Sequence, residues 1–142
     1  MKEFYEIEVW QEAKKLVIMV YDLAKKFPKH ETYSLADQLR RAANSICANI
    51  AEGVERYHTK DKVRFYYNAR GSISEGKSHL HISKELGYIK ADKVTFLLKE
   101  LDRIGIKLNN MISSLYRCAA KRNSKPPSPP APSSLGLLVP CV

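Results

Sequence analysis

The chain has no apolar run approaching the ~20 residues that cross a bilayer, no apolar leader with a small-residue cleavage site after MKEFYEIEVW, and no cysteines at zinc-ligand spacing. Its three cysteines, Cys47, Cys118 and Cys141, are odd in number and widely spaced. They read as small buried or incidental thiols of a reducing compartment and not as a disulfide framework. Proline is nearly missing from the first 122 residues, where only Pro28 occurs, whereas six prolines fall in the last twenty. Nor do a nucleophile, a base and an orienting acid recur at suggestive positions. These absences point to a cytoplasmic, non-membrane, non-enzymatic protein for which no metal or cofactor is expected. At 142 residues it is about one domain, with a core that needs no covalent staple.

What is present in excess is positive charge, with 24 Lys and Arg against 15 Asp and Glu. Lys121, Arg122 and Lys125 account for part of the net +9. An excess of this size favours a polyanion such as RNA or DNA, and it also occurs on soluble domains without one; charge leaves both readings open.

Residues 7 to 26 place Val9, Trp10, Ala13, Leu16, Val17, Val20, Tyr21 and Ala24 at 3-4 spacing. This predicts an amphipathic helix that stops before Pro28, with Trp10 in its core stripe. A second helix should run from about Leu35 to Gly53 or Tyr57, with Ser34 and Asp37 as a capping box. Thr59 then caps a third helix that closes at Gly87. Within it Gly71 and Gly76 each cost about 1 kcal/mol relative to alanine, so a close neighbouring backbone is the expected compensation. Residues 91 to 118 carry the clearest apolar stripe, from Val94 to Leu115. Four such helices on short loops predict an all-α, antiparallel up-down-up-down bundle over residues 1–122. Residues 123–142, including KPPSPPAPSS, read as a disordered Pro-rich tail.

Gly71 to Ser78 matches the phosphate-loop pattern G-x-x-x-x-G-K-[ST]. That chemistry requires a buried strand before the loop and a parallel sheet to hold it. Here Arg64 and Asn68 interrupt the preceding segment, which joins a helical stripe, so Lys77 is not expected to hold a nucleotide. His79 and His81, two apart on a helix, point about 200° from one another and do not share a metal.

Leu39 to Arg56 is the most unusual stretch, because Asn49 and Glu52 fall on or beside its apolar stripe. If the turn centres near residues 58 and 59, antiparallel packing sets Asn49 opposite Asn68 and Ser45 opposite Ser72. The same rule sets Arg41 opposite Glu75 or Gly76, and Glu52 opposite Arg64 or Phe65. Ser45, Asn49, Glu52, Asn68, Ser72 and Glu75 therefore form a polar seam. It is either an interhelical hydrogen-bond ladder or a groove open to a ligand or another subunit. The cations Arg40, Arg41, Arg56, Lys60, Lys62, Arg64, Arg70 and Lys77 concentrate on the same helix pair, interleaved with carboxylates. They are the candidate nucleic-acid contacts, with Tyr57, Tyr66 and Tyr67 as stacking residues; a salt-bridged, solvated face is the alternative.

The segments VWQEAKKLV, FPKHETYSLADQLRRAANSICANIAEG, RFYYNARGSISEGKSHL and ELGYI resemble the four-helix-bundle proteins encoded in intervening sequences of bacterial 23S rRNA genes. The resemblance covers roughly residues 5 to 118 and is sharpest at Gln38 to Ala42, Asn49 to Gly53 and Ala69 to Ser72. More distantly it extends to the accessory variability proteins of diversity-generating retroelements. The resemblance implies a four-helix bundle with Gly71, Ser72 and Glu75 inside a helix. Through the distant relatives it implies a homo-oligomer, a pentamer, that binds RNA or DNA and serves a reverse transcriptase. The tail after residue 122 has no counterpart in the family pattern.

Overall fold

The computed structural model describes residues 2–124 and 126–130. Its helices are α1 (Glu8–Ala24), α2 (Leu35–Glu55), α3 (Thr59–Glu85) and α4 (Ala91–Ser124), with single 3-10 turns at Phe4–Glu6 and Lys29–Glu31. There is no strand among the described residues, so the phosphate-loop match lies wholly inside α3. Each helix packs against its neighbours in chain order, and α4 closes back on α1. This is the antiparallel up-down-up-down bundle expected from the periodicity. Residues 126–130 carry no regular structure and are exposed; the remainder of the expected tail, Cys141 included, lies outside the described residues.

The core forms where the four apolar stripes meet. Leu16 of α1, Leu39, Ile46 and Ile50 of α2, Leu80 of α3, and Leu97, Ile104 and Leu108 of α4 are almost completely buried. Burying each such side chain is worth about 1.5–3 kcal/mol, which is what holds helices of modest propensity together. Half of the buried residues of helix α3 are small, Ala69, Ser72, Gly76 and Ser83, beside Val63, Tyr66, Ile73 and Leu80. Trp10 is only partly buried. Its ring packs edge-on against Phe4 at 5.2 Å and carries Lys14 over it at 5.5 Å, a rim position and not the centre of the stripe.

The helix ends depart from the sequence expectation in chemistry more than in position. Ser34 makes no side-chain cap; instead Glu31 Oε2 accepts the Leu35 N–H at 3.1 Å, and Asp37 is occupied by Arg40 and Arg41. Thr59 is the first residue of α3, and His58 precedes it without a side-chain cap. Gly87 does end α3: its φ of +78° is the left-handed conformation that lets the Tyr88 N–H reach Ser83 O and the Gly87 N–H reach Lys84 O, both at 2.9 Å. Helix α4 runs six residues past the predicted 118, because Ala119 and Ala120 continue it as good helix formers.

Glycine usage also differs. A Cβ on Gly71 would meet nothing within 4 Å, and one on Gly76 would touch Leu101 and Ala42 at ordinary distances of 3.8 and 3.9 Å. Neither admits a close backbone. Gly53 is the tight position, where a Cβ would stand 2.6 Å from Tyr66 Cε1. The C-terminal turn of α2 therefore fits against α3 only because residue 53 has no side chain.

Candidate nucleic-acid interface

Of the seam residues, Ser45 and Ser72 bond each other directly across the α2–α3 contact, their Oγ atoms 2.7 Å apart. Asn49 Nδ2 donates to Ser45 O at 2.8 Å and Ser45 Oγ at 3.1 Å, and Ser72 Oγ donates to Asn68 O at 3.2 Å. Each hydroxyl has one proton, so the arrangement has one direction: Asn49 donates to Ser45, Ser45 to Ser72, and Ser72 to the Asn68 carbonyl. This chain satisfies both serines within one subunit, as a half-buried network requires. The outer positions behave differently. Glu52 is exposed and lies 3.9 Å from Arg56 one turn along its own helix, Arg41 bonds Asp37 at 2.7 Å, and Glu75 lies 3.4 Å from His79 Nε2. The predicted cross-helix partners of Arg41, Asn49 and Glu52 lose to neighbours one turn away on the same helix: Asn49 bonds Ser45 and not Asn68.

Half of the eight candidate cations, Arg41 among them, are likewise held by the bundle itself. Arg40 donates to Thr32 O at 2.7 Å and faces Asp37, so it ties the loop before α2 to that helix. Lys62 donates to Val54 O at 2.7 Å and to Gly53 O at 3.4 Å; it closes the C-terminal turn of α2, and burial lowers its pKa. Lys77 forms an ion pair with Asp102 of α4. These three bind the protein's own groups. Lys60 is exposed with no ion-pair partner among the described residues, and Arg70 is exposed beside the Tyr67 ring at 5.4 Å. Arg56 and Arg64 both lie over one ring, Phe65, at 4.6 and 5.2 Å. Of the three tyrosines, Tyr66 is 3% exposed and cannot receive a base, whereas Tyr57 is 89% exposed.

Lys121 and Arg122 entered the sequence reading only through the net charge, and the candidate contacts were drawn from α2 and α3 alone. Asp102 is the last acidic side chain in the chain, and the forty residues after it contain six Lys or Arg. Two thirds of the net charge thus follows Asp102, and counting from that residue would have found it. Arg117, Lys121 and Arg122 are exposed on α4, and Arg122 Nη2 reaches Thr59 Oγ1 at 3.5 Å. That contact brings the basic end of α4 to the α2–α3 turn, beside Tyr57 and Lys60. Two other basic residues after Asp102 face carboxylates: Arg103 lies 3.7 Å from Glu100, and Lys107 is neutralised between Glu8 and Glu12 of α1, at 2.6 Å from each.

No cluster of metal-ligating side chains occurs among the described residues, and no helix of the structure is long and apolar enough to cross a membrane. Burial raises the Cys47 thiol to about 11, which keeps it protonated and unreactive. A groove of about 380 Å³ lies between α1 and α2, lined by Trp10, Val17, Ile18, Cys47, Ala48 and Ala51 among others.

The model of the family described as 23S rRNA-intervening sequence protein matches residues 5–110. The chain belongs to that family. The matched span takes in α1, α2, α3 and the first twenty residues of α4, so Arg117, Lys121 and Arg122 follow it. Among solved structures, a protein of unknown function from the S23 ribosomal protein family of Bacteroides thetaiotaomicron has a TM-score of 0.69 and 19% identity, over 74% of this chain and 95% of that one. That likeness is one of fold. No curated protein matches this family member.

Proposed function

We propose that this 23S rRNA-intervening sequence protein is a non-enzymatic, self-associating bundle that binds RNA, or RNA–DNA intermediates, through cations grouped at one end. The observation that carries the proposal is the segregation of charge: no acidic side chain follows Asp102, and the contact of Arg122 with Thr59 sets the basic end of α4 beside the α2–α3 turn. Arg117, Lys121 and Arg122 have no carboxylate among them on α4, and such a group attracts a phosphate backbone and releases its counterions, although Glu55 and Asp61 flank the adjoining turn. Service to a reverse transcriptase of a diversity-generating retroelement, in a pentamer, is the narrower form of this reading and is supported by the distant resemblance.

A second reading, an interaction module of the family whose function is its assembly without direct RNA contact, is favoured by the α1–α2 groove, where Ile18 is 57% exposed beside Trp10 and Val17. Native mass measurement with and without a structured RNA separates the two. The first reading predicts a complex whose mass includes RNA, and an oligomer that never takes up RNA supports the second.

A further inference from the structure

The α2–α3 turn combines features that phosphate attraction alone does not call for. Tyr57 stands at its apex, 89% exposed, its ring edge-on to His58 at 5.1 Å. The turn that carries it is braced from both sides. Lys62 bonds the carbonyls of Gly53 and Val54, the Arg56 N–H bonds Gly53 O at 3.3 Å, and Gly53 lies against the buried Tyr66 ring. A large aromatic ring is therefore held out in water on a rigid support.

Next to Tyr57 in the chain, Arg56 lies over the Phe65 ring at 4.6 Å, and Arg64 lies over the same ring at 5.2 Å. Among the described residues the one carboxylate within 4 Å of Arg56 is Glu52, at 3.9 Å, which is beyond hydrogen-bond reach. Both guanidiniums are positioned by an aromatic ring, so their N–H groups remain available to an incoming anion. Arg122 approaches from α4 at Thr59, two residues from Tyr57.

We infer that this turn is a binding site for an unpaired segment of a nucleic acid strand, with one base stacked on Tyr57 and its flanking phosphates on Arg56 and Arg64. The inference rests on the polyanion reading above and narrows it to a substrate class. A continuous duplex keeps its bases stacked inside and offers an exposed ring nothing to stack on, whereas an unpaired base presents a free π face whatever its identity. The site therefore selects strand openness, not sequence. The ribose 2′-hydroxyl plays no part in such a contact, so RNA and DNA single strands share the chemistry.

The test is fluorescence anisotropy of the full chain with a labelled twelve-nucleotide single strand, as RNA and as DNA, and with a blunt RNA duplex of the same sequence. Tyr57→Ala weakens single-strand binding about tenfold or more, Tyr57→Phe restores it, and neither changes duplex binding. Arg56→Gln with Arg64→Gln weakens binding further and lowers its salt dependence. Single-strand affinity unchanged by Tyr57→Ala, in a protein that still binds both ligands, overturns the site and leaves the polyanion reading standing. Wild-type protein that binds neither ligand overturns both. A preference for RNA over DNA that depends on Tyr57 contradicts stacking as the mode of recognition.

Discussion

Gly53 and Tyr66 occupy one another's space: a methyl group at residue 53 would lie 2.6 Å from one ring carbon of Tyr66 and 2.9 Å from the next. Tyr66 is 3% exposed and cannot swing aside. Gly53→Ala should therefore destabilise the bundle by about 1–3 kcal/mol despite alanine's better helix propensity. Gly71→Ala, at an exposed position with nothing within 4 Å, should stabilise it by up to about 1 kcal/mol. Urea denaturation midpoints of the two variants should move in opposite directions.

The directed chain through Ser45 and Ser72 predicts strong coupling between the two hydroxyls. Ser45→Ala or Ser72→Ala each removes one member and leaves its partner short of a bond, at about 0.5–1.5 kcal/mol. The double variant removes both and should cost clearly less than the two single variants together. A double-mutant cycle on unfolding free energies reads this, and strict additivity would show that the hydroxyls do not interact.

Acid should weaken the fold through three carboxylates. The Lys107 ammonium lowers the pKa of Glu8, the Leu35 backbone N–H lowers that of Glu31, and the Arg41 guanidinium lowers that of Asp37, each below its ordinary 4.5 or 3.8. Between folded and unfolded pKa values the unfolded chain binds more protons, so stability falls as pH falls through that window and is complete above it. Urea midpoints should be level from neutral pH to about 5 and decline below about 4.5. Glu31→Gln should start lower at neutral pH and decline less steeply, because it has no charge to lose.

The architecture was legible because four apolar stripes at 3-4 spacing each run for several turns, and that signal survives local exceptions. The caps were not, since an acceptor such as Glu31 reaches the Leu35 N–H from the preceding turn, where no spacing rule looks for it. In the interface, the Ser45–Ser72 pair followed from antiparallel arithmetic alone. The fate of Arg41 was also written in the sequence, as Asp37 four residues earlier, but grouping cations by segment hid that pair. The pairing of Lys77 with Asp102 depends on α4 register, which no local pattern encodes. Tyr66 and Tyr67 differ by one residue and face opposite environments, so an aromatic count overstated the stacking surface.

Binding of a single-stranded RNA as a function of salt tests the central claim most directly. Each phosphate contact adds about 0.7 to the slope of log affinity against log salt. Wild-type affinity should fall steeply between 50 and 200 mM salt, on the order of tenfold or more for several contacts. Replacing Arg117, Lys121 and Arg122 together with alanine should flatten the slope by about two, whereas replacing Lys84, Lys90 and Lys93 at the opposite end of the bundle should leave it unchanged. Affinity that is indifferent to salt, or a slope that the first set of substitutions does not alter, would contradict the assignment of RNA binding to the basic end of α4.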